Sequence, residues 1–113
     1  MRYPENPVNF ISVFKVSWRD NTAIIPLYFT KSGNVYAFHG YSDKVLARAG
    51  GWGWDKESGA LANALEKLIG VAFEGRGAGW QLVKPRGAKL LERDYNSRLY
   101  QVDKLKVKIT KIL

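Results

Sequence analysis

The chain of 113 residues contains no cysteine, and its histidine content is a single residue, His39. Without thiols there is no disulfide framework, no cysteine nucleophile and no thiolate metal site. With one imidazole there is no HExxH-like pair, so neither a metal ion nor another cofactor is expected, and a lone histidine in a strand reads as a packed or surface residue. Nowhere do about 18 apolar residues follow one another, and the opening MRYPENPVNF lacks the apolar stretch of a signal peptide. Neither export nor a membrane span is therefore expected. Long linkers and internal repeats are also missing. What is present suffices for one core: 46% of residues are hydrophobic and 25% charged, well away from the composition of disordered chains. The expectation is one soluble, cytoplasmic domain spanning 1–113.

Periodicity sets the fold class. Phe14, Val16 and Trp18 alternate with Val13, Lys15 and Ser17, the period-two pattern of a strand over Phe10 to Trp18. Asp20-Asn21 supplies a turn, Ala23 to Phe29 a second strand, and Lys31 to Asn34 a further turn into a third strand, Val35 to His39. Pro26 cannot donate to a ladder, which places the second strand at an edge or gives it a bulge. Ser42-Asp43 reads as the cap of a short helical turn through Ala49. The main helix starts at Asp55 or Ser58, carries Leu61, Leu65 and Leu68 on one stripe, and stops at Gly70. Trp80 to Val83 is a strand candidate, Ala88 to Tyr95 fits either helix or strand, and Arg98 to Val102 and Leu105 to Ile109 read as strands meeting at Asp103-Lys104. The expected architecture is α+β: an antiparallel sheet, made of an N-terminal three-stranded meander and C-terminal strands, packed against one main helix.

Immediately before that helix stands Gly50-Gly51-Trp52-Gly53-Trp54-Asp55-Lys56. Glycines allow close backbone approach, a helix start offers unpaired N–H donors, and Lys56 carries a charge suited to an anion. The spacing matches neither a GxxxxGK[ST] loop nor a GxGxxG turn. Gly51, Trp52, Gly53, Trp54 and Lys56 are thus candidates for a ligand or partner loop, the alternative being a turn whose tryptophans cover the core. Over residues 47 to 68 the chain resembles a group of small uncharacterised proteins of bacterial phages and mobile elements, which share a Gly-Gly-aromatic-Gly-aromatic-Asp-Lys box leading into an alanine-rich helix. The resemblance implies a setting, a phage or mobile-element accessory protein in a bacterial cytoplasm, and no activity.

Charge is unevenly placed. Residues 1 to 75 carry eight Lys/Arg against seven Asp/Glu, whereas residues 76 to 113 carry ten against three. A one-ended excess attracts polyanions or an acidic protein face. Lys104, Lys106 and Lys108 alternate with Leu105, Val107 and Ile109, so an extended strand sends three ammonium groups to one surface and three apolar groups inward. Arg86, Lys89, Arg93, Arg98 and Lys111 extend that ribbon, and Tyr95 and Tyr100 offer rings for base stacking. The same lysines equally serve to discourage edge-to-edge aggregation. The functional expectation is a non-catalytic module binding DNA or RNA through this basic C-terminal surface. A protein inhibitor of anti-defence type, docking on an acidic or nucleic-acid-binding host protein, is the alternative, and a metal-independent nuclease the third.

Overall fold

The computed structural model describes residues 7–30, 32–41, 44–49 and 55–113, of which 7–11 by backbone alone. Along these the chain forms β1 (Pro7–Trp18), β2 (Asn21–Thr30), β3 (Val35–Phe38), β4 (Val45–Ala49), α1 (Lys56–Ile69), β5 (Phe73–Glu74), a 3-10 turn (Trp80–Leu82), β6 (Lys84–Pro85), β7 (Lys89–Arg93), β8 (Ser97–Val102) and β9 (Leu105–Lys111). Seven strands make one antiparallel sheet in the order β4-β3-β2-β1-β9-β8-β7, while β5 and β6 pair separately. The fold is α+β, and its N-terminal strands form the expected meander.

The alternation in β1 does what its period requires. Phe14, Val16 and Trp18 are buried while Lys15 is exposed and Ser17 half-buried, because successive side chains leave opposite faces of a strand; Val13, of the outward set, is nevertheless buried. Trp18 pairs with Asn21, so the tight turn is Arg19-Asp20, one residue earlier than the sequence suggests. Arg19 takes φ 52° there, the positive φ that a two-residue hairpin loop demands at its first central position.

Pro26 sits in an interior strand, not at an edge: β2 lies between β1 and β3. The reason it fits is visible in its partner. Pro26 faces Val13, and the N–H and C=O of Val13 both bond the chain end, to Leu113 O and from Ile112 N. The Val13–Pro26 pair therefore exchanges no hydrogen bond, and the proline nitrogen points toward the β3 side. There the ladder has already ended, at Leu27↔Ala37.

The segment read as a helical turn through Ala49 is instead β4. Ser42 and Asp43, its expected caps, lie outside the described residues. Val45–Ala49 pairs with β3, and Leu46 is the extra residue where the register shifts between Ala37 and Phe38. That bulge turns Leu46 into the core, where it is buried. Ala47 and Ala49 are small enough for α1 to lie close above them, and a Cβ built on Gly59 would stand 3.4 Å from that of Ala49.

Helix α1 follows its sequence signals. Asp55 is the N-cap, its carboxylate accepting the Ser58 N–H at 3.1 Å, and Gly70 closes the helix at φ 86° with its N–H on Glu66 O. Leu61 and Leu65 are fully buried, and Leu68 is partly buried against the same core. The core continues beneath β9 and β8 with Phe73, Trp80 and Val83. The stretch expected as a strand is instead the 3-10 turn Trp80–Leu82 capped by Val83, and Trp80 turns inward to pack on Phe14, ring centroids 5.7 Å apart. Gly75 is required beneath that turn: a Cβ there would fall within 2.0 Å of Leu82 O.

The chain leaving α1 is held by Glu66. Its carboxylate accepts the Phe73 N–H at 2.8 Å and pairs with Arg76 at 2.7 Å. Both lower its pKa, the Phe73 N–H contributing most.

Two outcomes are expected from this packing. Leu65→Ala removes a fully buried side chain and should cost about 2–5 kcal/mol, measurable by denaturant titration. The Glu66 carboxyl should titrate below the ordinary value of about 4.3, so its contribution to stability is present at neutral pH and is lost as pH falls through the folded value. In carboxyl NMR titration Arg76→Ala should raise that pKa only part of the way, because the Phe73 N–H remains.

Candidate nucleic-acid interface

The C-terminal basic residues divide between the two faces of the sheet. On β9, Leu105, Val107 and Ile109 are buried while Lys106 and Lys108 are exposed on the far side from α1, with Lys104 exposed in the turn that precedes them. Lys106 and Lys108 stand roughly 7 Å apart, two residues along a strand. Across the neighbouring strands Lys106 pairs with Gln101, and Gln101 with Lys89, which carries the row of ammonium groups to the sheet edge.

The same face takes in residues that the charge map along the chain overlooks. Pairing of β1 with β9 sets Ser17 opposite Lys108 and Lys15 opposite Thr110. Arg19 lies one step beyond the Trp18↔Val107 pair. Ser17, Arg19, Leu99, Lys104, Lys106 and Lys108 line one open depression of about 370 Å³. None of Lys15, Arg19, Lys104, Lys106 and Lys108 forms a salt bridge with another described residue. Lys15 and Arg19 sit in a stretch of balanced charge, so no composition window singles them out; the period-two pattern does put Lys15 on the outward side of β1.

The other sequence candidates go elsewhere. Tyr100 is a correction: it is 3% exposed, and its hydroxyl donates to Gln81 O at 2.7 Å. Burial pushes the phenol pKa up, and no base can stack on the ring. Its orientation follows from parity, because Tyr100 pairs with Val107, an inward residue. Arg98 shares that inner face, its guanidinium over the Trp80 ring at 5.3 Å and bonded to Ser97 O at 2.8 Å. Arg93 lies opposite Arg98 on the same face. Lys111 faces inward too, 3.6 Å from Glu57. Arg86 is exposed near the far end of α1, where its charge helps lower the pKa of Glu66. Tyr95 is 89% exposed, but it stands in the β7–β8 loop, a β8 length of roughly 20 Å from Lys104. The ribbon is thus Lys89, Lys104, Lys106 and Lys108, joined by Lys15 and Arg19.

Gly51, Trp52, Gly53 and Trp54 lie outside the described residues. Lys56 is described, and its Nζ donates to Gly33 O in the β2–β3 turn. At the helix start the Asp55 carboxylate already takes the N–H of Ser58, which sets a negative charge where an anion would have to sit. Lys56 therefore ties α1 to the sheet.

Compared with known proteins, the chain matches no family model, no curated protein and no solved structure.

Tyr100→Phe tests the buried reading of that ring. Removing a hydroxyl bonded to a backbone carbonyl should lower stability by about 0.5–1.5 kcal/mol in chemical denaturation; an unchanged midpoint would place the hydroxyl in solvent.

Proposed function

We propose that the protein is a non-catalytic module that binds nucleic acid by its phosphates, on the outer sheet face of β1, β9 and β8. The observation that supports this reading is the convergence of Lys104, Lys106 and Lys108 with Arg19 and Ser17 in one depression without carboxylates. Ammonium groups facing water with no internal partner are available to neutralise phosphates, and each contact releases a cation condensed on the nucleic acid. The paired positions of this face carry lysine, serine, threonine, glutamine and leucine, and the one ring lining the depression, Trp18, is buried in the core, which favours backbone contact over base stacking. Binding of this kind is largely indifferent to sequence. The lining offers no imidazole or carboxylate to move a proton, which favours binding over cleavage. Glu92, opposite Leu99 at the sheet edge, limits the cationic area on that side. The setting implied by the glycine-tryptophan box, a phage or mobile-element accessory protein in a bacterial cytoplasm, accords with such an activity and belongs to the same proposal.

Affinity for a short duplex should fall with salt at a log-log slope of roughly 0.9 per phosphate contacted. Replacing Lys104, Lys106 and Lys108 by Gln should weaken binding and flatten the slope by about two to three units, alike for unrelated sequences, as read by fluorescence anisotropy. The fold should persist, since the inward residues are untouched. No binding by the wild type at low salt, or an unchanged slope in the folded triple variant, overturns the proposal. A host protein captured from nuclease-treated lysate through the same lysines, with no duplex binding, would establish the inhibitor reading in its place.

A further inference from the structure

On the opposite face of the same sheet, the register of β7 and β8 creates a second concentration of positive charge. Leu90 pairs with Tyr100, but the next pairs are Glu92↔Leu99 and Arg93↔Arg98, so Leu91 is an extra, unpaired residue. A regular register, with Leu91 paired to Leu99, would bring Glu92 opposite Arg98, a cross-strand ion pair on the inner face. The bulge removes that carboxylate to the outer face and installs Arg93 instead. Like charges directly opposite one another destabilise a sheet, and bulges that re-aim side chains are common beside binding sites.

The two arginines open on a cleft of about 280 Å³ between β7 and the 3-10 turn, lined also by Lys84, Leu82 and Leu90. No carboxylate lines it among the described residues. Lys84 is engaged with Glu74 at 3.4 Å and with Ala88 O at 2.9 Å, and Arg98 bonds the backbone carbonyls of Asp94 and Ser97. Arg93, by contrast, is exposed and has no polar partner among the described residues. Leu82 and Leu90 stand on the walls 57% and 43% exposed. Guanidinium groups beside apolar walls suit an anion carried on a flat apolar body, since arginine binds phosphate bidentately.

We propose that this cleft binds a phosphate monoester attached to a planar base, the phosphate bridging Arg93 and Arg98 and the base lying between Leu82 and Leu90. The chemistry is that of a free nucleotide or of a nucleic-acid 5′ end. It does not depend on the outer lysine face.

The test is an NMR titration of the labelled full chain with a nucleoside 5′-monophosphate at low salt, alongside the nucleoside without phosphate. Amide and side-chain signals of Leu82, Leu90, Arg93 and Arg98 should shift with the monophosphate and not with the nucleoside. Arg93→Gln should weaken binding on the order of tenfold. Arg93→Glu should abolish binding while raising the melting temperature, because it restores an ion pair with Arg98; that readout shows the variant is folded. A 5′-phosphorylated trinucleotide set against its 5′-hydroxyl form distinguishes the two sources: phosphate-dependent tightening beyond the mononucleotide assigns the site to chain ends, and equal affinity to free nucleotides. The proposal is overturned if the monophosphate shifts only the outer lysine face, or if Arg93→Gln leaves its affinity unchanged.

Discussion

The ladder between β1 and β9 is the contact on which the rest of the structure depends. It runs from Phe14↔Lys111 to Trp18↔Val107 and is prolonged by the bonds of Val13 with Ile112 and Leu113. Through it the N-terminal meander and the C-terminal hairpins become one sheet. Along the seam Phe14, Val16, Val107 and Ile109 are fully buried, and each such side chain stabilises by about 1.5–3 kcal/mol relative to exposure. The seam also binds the helix: Ser12 donates to Glu57 at 2.9 Å, and Lys111 reaches the same carboxylate. Non-local antiparallel pairing of this kind closes a loop of nearly the whole chain, so its hydrophobic gain must outweigh a large closure entropy.

That pairing also decides where charge goes. A strand residue faces one side of the sheet or the other, and register fixes which. Ten cations of the last third therefore do not merge into one field. Lys89, Lys106 and Lys108 are sorted outward, together with Lys15 of β1, whereas Arg93, Arg98 and Lys111 are sorted inward. Two of the inward ones meet rings: Arg98 lies over Trp80, and Lys111 is 6.0 Å from the Phe14 ring centroid. The outward ones meet water. Register alone thus puts the two sets on opposite sides of the sheet.

Both proposed surfaces sit on rigid secondary structure. The outer depression is framed by two hairpin turns at one end of the sheet, Arg19-Asp20 and Asp103-Lys104, and each has a non-glycine residue at positive φ, Arg19 at 52° and Asp103 at 54°. Such conformations persist where surrounding structure holds them, and here neighbouring ladders do. Arg19 is thereby presented beside β9 although it belongs to the first hairpin.

The amino-acid pattern alone determined the elements whose signals are local. The inward and outward residues of β1 and β9 follow from period two, and the extent of α1 from Asp55, the leucine stripe and Gly70, because cap chemistry and side-chain parity act within a few residues. Outcomes set by distant partners were not legible. β4 became a strand because β3 offered an edge and α1 a cover for Ala47 and Ala49, and Pro26 was admitted to an interior strand because the ladder on its nitrogen side had ended. Tyr100 and Arg98 turned inward because their pairing with β9 gave them the parity of Val107 and Ile109. Linear charge counting joined cations that a sheet separates, and it passed over Arg19 and Lys15, which only the β1–β9 pairing brings beside the lysines: sequence distance records neither strand order nor register, and those two quantities decide which charges share a surface.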